Sequence, residues 1–300
     1  MKCLVLGANG FIGSHLTDLL KQKTGYAASF ARKEYLYNPD VKSYVGDFNN
    51  KEALEAALIG HDCVIHSVSS STPAIAAADP RFDIEANLLP TIFLVQAMAR
   101  KNVKKLVYIS SGGTVYGNPL HLPVSEKTEL KPVSVYGATK AAVENYLSIL
   151  CTQLKIDLTI IRPSNPFGPR QYNKGSQGLI ATLLDKAIKK QPIILFDNGN
   201  AIRDYIYIDD LIEAIYKSVI QGVTGIYNIS YDAGYSVSNI KKCIEDITLH
   251  RFECNFLPKR DFDIDEIILD STLARKKLNW KPTTTIEAGI QKQFNWMVNL

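Results

Sequence analysis

The sequence predicts an α/β protein built around an open parallel sheet. Two observations support this. Short apolar runs alternate with longer helical segments through the first half of the chain, and a glycine-rich segment, residues 7–13, directly follows the first apolar run. The 300 residues, 46% of them hydrophobic, can bury a large core in one or two domains.

Composition argues against several classes of protein. The net charge is +4 and the basic pairs are dispersed, which argues against nucleic acid as a partner. Five cysteines without paired spacing indicate a reduced intracellular protein with no disulfide framework and no metal site. The first apolar run is too short for a signal peptide, and no stretch has the length of a membrane span. We therefore expect a cytoplasmic enzyme without a membrane partner.

The first strand and helix surround the glycine-rich segment. Residues 2–6 fit a buried parallel strand, and residues 11–25 fit a helix. Glycines at 7, 10 and 13 allow a tight turn, close approach of the backbone to a pyrophosphate, and close packing of the helix on the strand. An ordinary turn can also contain glycine, but this position between strand and helix favours dinucleotide binding.

The second strand, residues 26–30, is followed by Arg32. In dinucleotide-binding proteins an acidic residue at this point binds the ribose 2′-hydroxyl of NAD, whereas arginine suits the 2′-phosphate of NADP. Arg32 therefore favours NADP. Glu34 is close enough in the sequence for NAD to remain an alternative cofactor, and Arg32 could also be a solvated loop residue.

The next elements continue the alternation of strands and helices. Strands are predicted at 41–45, 63–66 and 105–109, and helices at 52–59 and 84–101. Such units give a doubly wound, Rossmann-type sheet whose ligand lies at the carboxyl ends of the strands. Several candidate ligand residues follow predicted strands: Gly7, Arg32, Asp47, Ser67 and Ser111.

Tyr136 and Lys140 provide the candidate chemistry. They begin a predicted helix, residues 136–154, and their spacing of four places both on one helix face. A free tyrosine has a pKa near 10, so forming a phenolate near neutral pH costs about 4 kcal/mol. One close cation and a second positive group, such as an oxidised nicotinamide ring, could supply that stabilisation. Alone the pair is weak evidence, because similar pairs occur on many solvated helices.

The carboxyl-terminal half predicts a smaller α/β unit. Strands are expected at 157–162, 193–196 and 225–229, and helices at 178–190, 211–220 and 236–249. Prolines at 163, 166 and 169 predict a stiff loop at which the chain crosses between domains. We expect a dinucleotide-binding domain at 1–165 plus about 203–229, and a substrate domain at about 166–202 plus 230–300.

Four motifs occur in order: Gly-Ala-Asn-Gly-Phe-Ile-Gly at 7–13, Gly-Asp-Phe at 46–48, Ser-Ser-Gly-Gly-Thr-Val-Tyr-Gly at 110–117, and Tyr136-x-x-x-Lys140. With them the chain resembles extended short-chain dehydrogenases/reductases of the NAD-dependent epimerase/dehydratase family, near UDP-glucose 4-epimerases. Three later segments also resemble that family: Arg-x-x-Asn-x-x-Gly-Pro at 162–169, Arg-Asp-Tyr at 203–205, and Pro-x-Arg-x-x-Asp at 258–263.

The patterns and the resemblance together imply three sets of site residues. The cofactor set is Gly7, Asn9, Gly10, Phe11, Ile12, Gly13, Arg32, Asp47, Phe48, Ser67, Val68, Ser69, Asn87, Ser110, Tyr136, Lys140, Pro163 and Ser164. The catalytic set is Tyr136 as base, Lys140 as its partner, and Thr114 or Ser111 as a third group. The substrate set is Thr114, Asn165, Gly178, Leu179, Arg203, Arg260 and Asp263.

Two departures from the family pattern narrow the reaction. The position of the usual catalytic serine or threonine is Gly112, so Ser111 and Thr114 are the nearby hydroxyls. Dehydratases of this family carry an Asp-Glu pair where this chain has Gly113 and Thr114, which makes 4,6-dehydration an unfavoured reaction.

The resemblance implies a nucleotide-sugar 4-epimerase that uses NAD(P), with a UDP- or dTDP-sugar as substrate. An NADP-dependent 4-keto-sugar reductase is the alternative that Arg32 favours. A non-catalytic dinucleotide-binding regulator is a third possibility, against which Tyr136, Lys140, Arg203 and Arg260 argue. Relatives pair through a four-helix interface, which predicts a homodimer formed by helices 84–101 and 136–154.

Overall fold

The computed structural model describes residues 1–172, 178–259 and 264–300. Arg260 and Asp263, both predicted substrate ligands, lie outside the described residues. In chain order the strands are β1 (Cys3–Leu6), β2 (Ala28–Ala31), β3 (Lys42–Val45), β4 (Cys63–His66), β5 (Lys105–Ile109), β6 (Asp157–Pro163), β7 (Asn165–Phe167), β8 (Ile193–Phe196), β9 (Ile202–Tyr207), β10 (Gly225–Ile229), β11 (Gly234–Ser236), β12 (Cys254–Leu257) and β13 (Glu266–Ile267).

Seven parallel strands form the central sheet, in the order β10-β6-β5-β4-β1-β2-β3. The strand order reverses between β1 and β4, and such a switch point opens a ligand crevice at the carboxyl ends of the strands. The predicted α/β fold with a doubly wound, Rossmann-type sheet is therefore confirmed.

The α-helices of the described residues are α1 (Phe11–Thr24), α2 (Lys51–Leu58), α3 (Pro73–Ala78), α4 (Pro80–Asp83), α5 (Leu89–Arg100), α6 (Gly112–Val115), α7 (Val135–Leu154), α8 (Leu179–Ile188), α9 (Ile208–Gln221), α10 (Val237–Thr248), α11 (Thr272–Leu278) and α12 (Ile286–Val298). Alternate residues of β1 face opposite sides of the sheet. Cys3 and Val5 join a core that includes α1 and α9, and Leu4 and Leu6 join one that includes α2, α5 and α7. Both faces of the sheet are therefore covered by helices.

The second half of the chain adds two smaller sheets. Strands β7, β9, β11 and β13 form one, and β8 and β12 form a parallel pair. The segment 203–229, which we assigned to the dinucleotide-binding domain, starts in β9 of the smaller sheet and ends in β10 of the central sheet. The division into two domains stays a prediction.

The helix predicted at 84–101 is divided in two. A π-helical turn, Ile84–Leu88, precedes α5, and the amide of Leu89 bonds the carbonyl oxygen of Ile84, five residues back. Pro90, the second residue of α5, has no amide hydrogen with which to continue an i→i−4 ladder. The short helices α3, α4 and α6 were not predicted, because single turns carry too little periodicity to be recognised.

All five cysteines are free. Among the described residues, no helix combines the length and apolar character that crossing a membrane requires, and no group of three potential metal-ligating side chains occurs. The cytoplasmic location stays a prediction.

Candidate active site

A cavity of about 620 Å³ lies at the carboxyl edge of the central sheet and extends to β8 and β9. Most of the side chains predicted from the sequence to form the site line it: Gly10, Phe11, Ile12, Gly13, Ser67, Ser69, Ser110, Ser111, Thr114, Tyr136, Pro163, Ser164, Asn165, Gly178, Leu179 and Arg203. The parallel strands bring these separate segments together because their carboxyl ends share one edge.

Other predicted residues are not among those that line the cavity: Gly7, Asn9, Arg32, Asp47, Phe48, Val68, Asn87 and Lys140. Phe48, for example, is buried, with its ring 4.9 Å from that of His66. Asn87 accepts a hydrogen bond from the amide of Ser70 at 2.8 Å and donates to Asp83 Oδ1 at 2.8 Å. Asn87 therefore supports the loop after β4, and its contact with the cofactor stays a prediction.

The glycine-rich segment has the shape that a pyrophosphate requires. Gly7 has φ +78°, a conformation that glycine adopts without strain. A Cβ at Gly13 would lie 2.2 Å from the carbonyl oxygen of Gly7, so only glycine lets α1 approach β1 this closely. Gly10 precedes α1 and has no side chain that could cap the helix. The amides of the first turn are therefore not occupied by a side-chain cap, and residues 10–13 line the cavity. The segment fits a dinucleotide cofactor.

Asn9 holds the loop that follows β2. Its amide nitrogen donates to the carbonyl oxygens of Lys33 and Glu34 at 3.1 and 2.9 Å, and its Oδ1 accepts from the amide of Leu36 at 3.1 Å. Arg32 is exposed at the start of this loop. The side chain of Asn9 thus fixes the segment that carries Arg32 beside the glycine-rich segment.

Tyr136 and Lys140 occupy successive turns at the start of α7. Ser134 caps the helix by accepting from the amide of Gly137 at 3.2 Å. Tyr136 is half-buried and lines the cavity, whereas Lys140 is buried and donates to the carbonyl oxygen of Ile109 at 3.1 Å. Burial alone would lower the pKa of Lys140, but the phenol oxygens of Tyr108 and Tyr136 outweigh it and the pKa is raised. Lys140 is therefore an ammonium ion at neutral pH.

Gly137 sets the distance between α7 and the loop that carries the hydroxyl groups. A Cβ at this position would lie 2.7 Å from the carbonyl oxygen of Thr114. Glycine therefore allows the start of α7 to rest against α6, which keeps Tyr136, Thr114 and Ser111 on the same cavity. The hydroxyl of Ser110 is turned away from them and donates to Glu144 Oε1.

Gly112 does not face the cavity, although its position corresponds to the usual catalytic hydroxyl residue of the family pattern. A Cβ there would lie 2.4 Å from Leu269 Cδ1 and 3.0 Å from the carbonyl oxygen of Arg162. Close packing therefore disfavours any side chain at this position, which accounts for the glycine here. Ser111 and Thr114, which line the cavity, remain the two candidates for the third catalytic group.

A buried ion pair fastens α7 to the central sheet. The guanidinium of Arg162 contacts both carboxylate oxygens of Glu144, with Nε at 3.1 and 3.0 Å, and both side chains are 3% exposed. Arg162 also donates to the hydroxyl of Tyr116 at 2.8 Å, and that hydroxyl donates to Asn228 at 2.7 Å. Loss of one member of such a pair leaves an uncompensated buried charge, at a cost of about 3–5 kcal/mol.

Asn165 and Arg203 come from adjacent strands of the smaller sheet. The amide nitrogen of Asn165 donates to the carbonyl oxygen of Asp204 at 2.9 Å. Arg203 donates to the carbonyl oxygens of Ile202 at 2.8 Å and Asp265 at 3.4 Å. Both residues line the cavity that the glycine-rich segment also lines, and a guanidinium suits phosphate oxygens.

The model of the NAD dependent epimerase/dehydratase family matches residues 3–230. The chain belongs to this family.

The UDP-glucose 4-epimerase of Mycolicibacterium smegmatis is 31% identical over 100% of this chain and 99% of its own. Two solved structures are similar over their whole length. The UDP-glucose 4-epimerase of Thermotoga maritima with UDP-glucose is 28% identical (TM-score 0.93, 100% of this chain and 99% of that one). The Thermus thermophilus enzyme with NAD is 27% identical (TM-score 0.94, 99% of each chain).

Several residues that line the cavity of this epimerase/dehydratase family member were not predicted: Pro73, Pro166, Phe167, Gln171, Ile180, Ile194, Leu195, Phe196, Asp197, Ala201, Tyr205, Val237, Lys259, Ile264 and Asp265. Five of them are apolar residues of predicted strands and helices: Ile180, Ile194, Leu195, Phe196 and Val237. Their sequence signal is that of ordinary core residues, so only the tertiary arrangement identifies them. Pro166, next to Asn165, could have been found from its motif.

We expect Gly112→Ser to destabilise the protein without raising its activity. Added atoms in a packed interior cost about 1–3 kcal/mol, and the new hydroxyl would meet Leu269 instead of the cavity. Urea denaturation and turnover measure the two effects. Gly113→Ser is the matched control for stability, because its Cβ would make an ordinary contact of 3.4 Å with Asn165 Oδ1. A Gly112→Ser protein with unchanged stability and faster turnover would contradict the assignment.

The buried carboxyl of Asp204 predicts a pH-dependent stability. Burial raises the pKa of Asp204 to about 7, against the opposing effect of hydrogen bonds from the amides of Leu269 and Tyr231. The unfolded pKa is about 3.9, so this group favours folding most at low pH, and its contribution is lost as pH rises to about 7. Between about pH 5 and pH 8 the wild type should lose about 2–3 kcal/mol more than Asp204→Asn.

Urea denaturation at several pH values tests this. Asp157→Asn, at an exposed carboxylate, is the control and should keep the wild-type slope. Identical slopes for wild type and Asp204→Asn would show that Asp204 is ionised throughout.

Proposed function

We propose that this chain is a nucleotide-sugar 4-epimerase that acts with a bound nicotinamide cofactor. The observation that carries the proposal is the pairing of Tyr136 with a buried, charged Lys140 in a cavity that starts at the dinucleotide-type glycine segment and ends at Arg203. When bound, a nicotinamide cofactor would supply reversible hydride transfer at C4 of the sugar.

The residues of the chain carry the proton chemistry. Tyr136 removes the proton of the C4 hydroxyl and returns it after the sugar has turned over. The ammonium of Lys140 stabilises the phenolate of this tyrosine. Ser111 or Thr114, which also lines the cavity, contacts the same sugar hydroxyl.

The substrate is proposed to be a UDP- or dTDP-sugar. Arg203 and Asn165 are placed to hold the diphosphate and the sugar, and the apolar strand β8 lines the far end of the cavity. A 4-keto sugar has to turn within the cavity to present its second face to the cofactor, and this rotation needs space. The absence of a side chain at Gly113 leaves space beside Asn165. The Thermotoga maritima relative has UDP-glucose in its structure.

The purified protein should interconvert UDP-glucose or UDP-N-acetylglucosamine with its 4-epimer when no nicotinamide is added. Tyr136→Phe should reduce the rate by about 10²–10⁴-fold, because general-base catalysis is lost, and should retain the cofactor. Tyr227→Phe, which loses a phenol hydroxyl bonded to the carbonyl oxygen of Thr224, is the control and should remain active. Stoichiometric consumption of NADPH with a 4-keto sugar, without epimer formation, would establish the reductase instead.

Arg32 is proposed to bind the 2′-phosphate of NADP, in preference to NAD. It is exposed at the end of β2, on the loop that Asn9 fixes beside the glycine-rich segment. Arg32→Asp should weaken NADP binding relative to NAD by at least about tenfold, since a phosphate contact is replaced by like-charge repulsion. Calorimetry measures both affinities, and Lys33→Asp is the neighbouring control. A wild type that retains NAD and discriminates against NADP would exclude this role.

We also propose a homodimer formed by α5 and α7. Leu89 of α5 and Tyr146 and Ile149 of α7 expose large apolar surfaces on helices that pack side by side. A charge at the centre of such an interface is unpaired and desolvated, so Ile149→Asp should yield monomers. Sedimentation velocity gives the mass, and Leu249→Asp, at an exposed position outside both helices, is the control. A monomeric wild type would disprove the proposal.

A further inference from the structure

Lys140 lies between two tyrosine side chains. Its Nζ is 5.8 Å from the ring centroid of Tyr136 and 5.0 Å from that of Tyr108, a residue of β5. Its hydrogen bond to the carbonyl oxygen of Ile109 occupies a third direction. An ammonium has three N–H donors, so two remain after the bond to Ile109 for neighbouring acceptors.

Tyr108 is part of a neutral, closely packed aromatic layer beneath Lys140. It is 2% exposed, and its ring centroid lies 5.3 Å from that of His66, which in turn packs on Phe48. Thr91 donates its hydroxyl proton to the carbonyl oxygen of Asn87 at 2.6 Å, so His66 Nε2 must donate to Thr91. The His66 Nδ1 accepts from the amide of Val68 at 3.3 Å, which makes the imidazole neutral.

The surroundings of the two phenols differ. Tyr136 is half-buried and lines the cavity, whereas Tyr108 is enclosed by the sheet and α7. Burial disfavours the charged form of a tyrosine, and it raises the pKa of Tyr108 to about 12 despite the nearby lysine. The neutral phenol of Tyr108 can therefore orient the ammonium without competing with Tyr136 for ionisation.

We propose that Tyr108 is a positioning residue whose phenol oxygen accepts from Lys140 and directs the buried ammonium at Tyr136. The role rests on the proposed function, in which Tyr136 exchanges a proton with the substrate. It differs from that of the catalytic pair, because Tyr108 does not line the cavity.

Other titratable groups that face Lys140 have separate partners. Glu144, one turn further along α7, also favours the ammonium, but its carboxylate is bonded by Arg162 and Ser110. His66 is uncharged, since burial lowers its pKa to about 3. Tyr108 and Tyr136 are therefore the groups through which the surroundings act on the ammonium most directly.

Tyr108→Phe tests the proposal with little change of volume. We expect kcat near neutral pH to fall about tenfold with little change in KM, since one hydrogen bond to a charged group is lost. The wild-type kcat should stay constant to about pH 10. In Tyr108→Phe the fall of kcat at alkaline pH should begin about one pH unit lower than in the wild type, because Lys140 loses its proton more easily. Tyr227→Phe should keep the wild-type profile. If Tyr108→Phe also keeps that profile, Tyr108 only fills space.

A second measurement does not depend on activity. The carbon-13 chemical shift of Lys140 Cε, assigned by its disappearance in Lys140→Met, distinguishes ammonium from amine during a pH titration. We expect a lower midpoint in Tyr108→Phe than in the wild type, whichever reaction the protein catalyses. An unchanged midpoint refutes the positioning role, whereas an inactive wild type with a lowered variant midpoint refutes only the epimerase proposal.

Discussion

The ammonium of Lys140 is a charge enclosed at the carboxyl edge of the sheet, and the rest of the site has to accommodate it. A buried charge is tolerated only when hydrogen-bond acceptors surround it. Here the carbonyl oxygen of Ile109 accepts a hydrogen bond from it, and the ring centroids of Tyr108 and Tyr136 lie 5.0 and 5.8 Å from it. In the proposed mechanism this charge stabilises the phenolate of Tyr136, which lines the cavity.

The surrounding structure fixes the helix that carries this charge. Gly137 allows the start of α7 to rest on α6, and the Glu144–Arg162 pair fastens the next turns to β6. The strand that supplies Arg162 continues into Ser164 and Asn165, which line the cavity. One set of buried contacts therefore aligns the Tyr136–Lys140 pair with the segment that is proposed to hold the substrate.

Local patterns in the sequence predicted the central sheet, the glycine-rich segment and the position of Tyr136 and Lys140 at the start of a helix. They failed where a residue's role depends on distant parts of the chain. Gly112 occupies the position of the family's usual catalytic hydroxyl residue. In the structure a side chain at this position would meet Leu269, which comes more than a hundred residues later in the chain. The Glu144–Arg162 pair and the apolar residues of β8 carried no functional signal, because ordinary buried residues share their patterns. Asn9 was predicted at the cofactor, which stays a prediction, and the structure adds that its side chain bonds the loop after β2.

The central claim is that hydride leaves C4 and returns to it within one closed site, while Tyr136 handles only the proton. A nucleotide sugar labelled with deuterium at C4 tests this directly when it is incubated with the purified protein in ordinary water without added cofactor. The account predicts an epimer that retains deuterium at C4, as read by mass spectrometry and NMR. Replacement of that deuterium by hydrogen from solvent, at the rate of epimer formation, would contradict it.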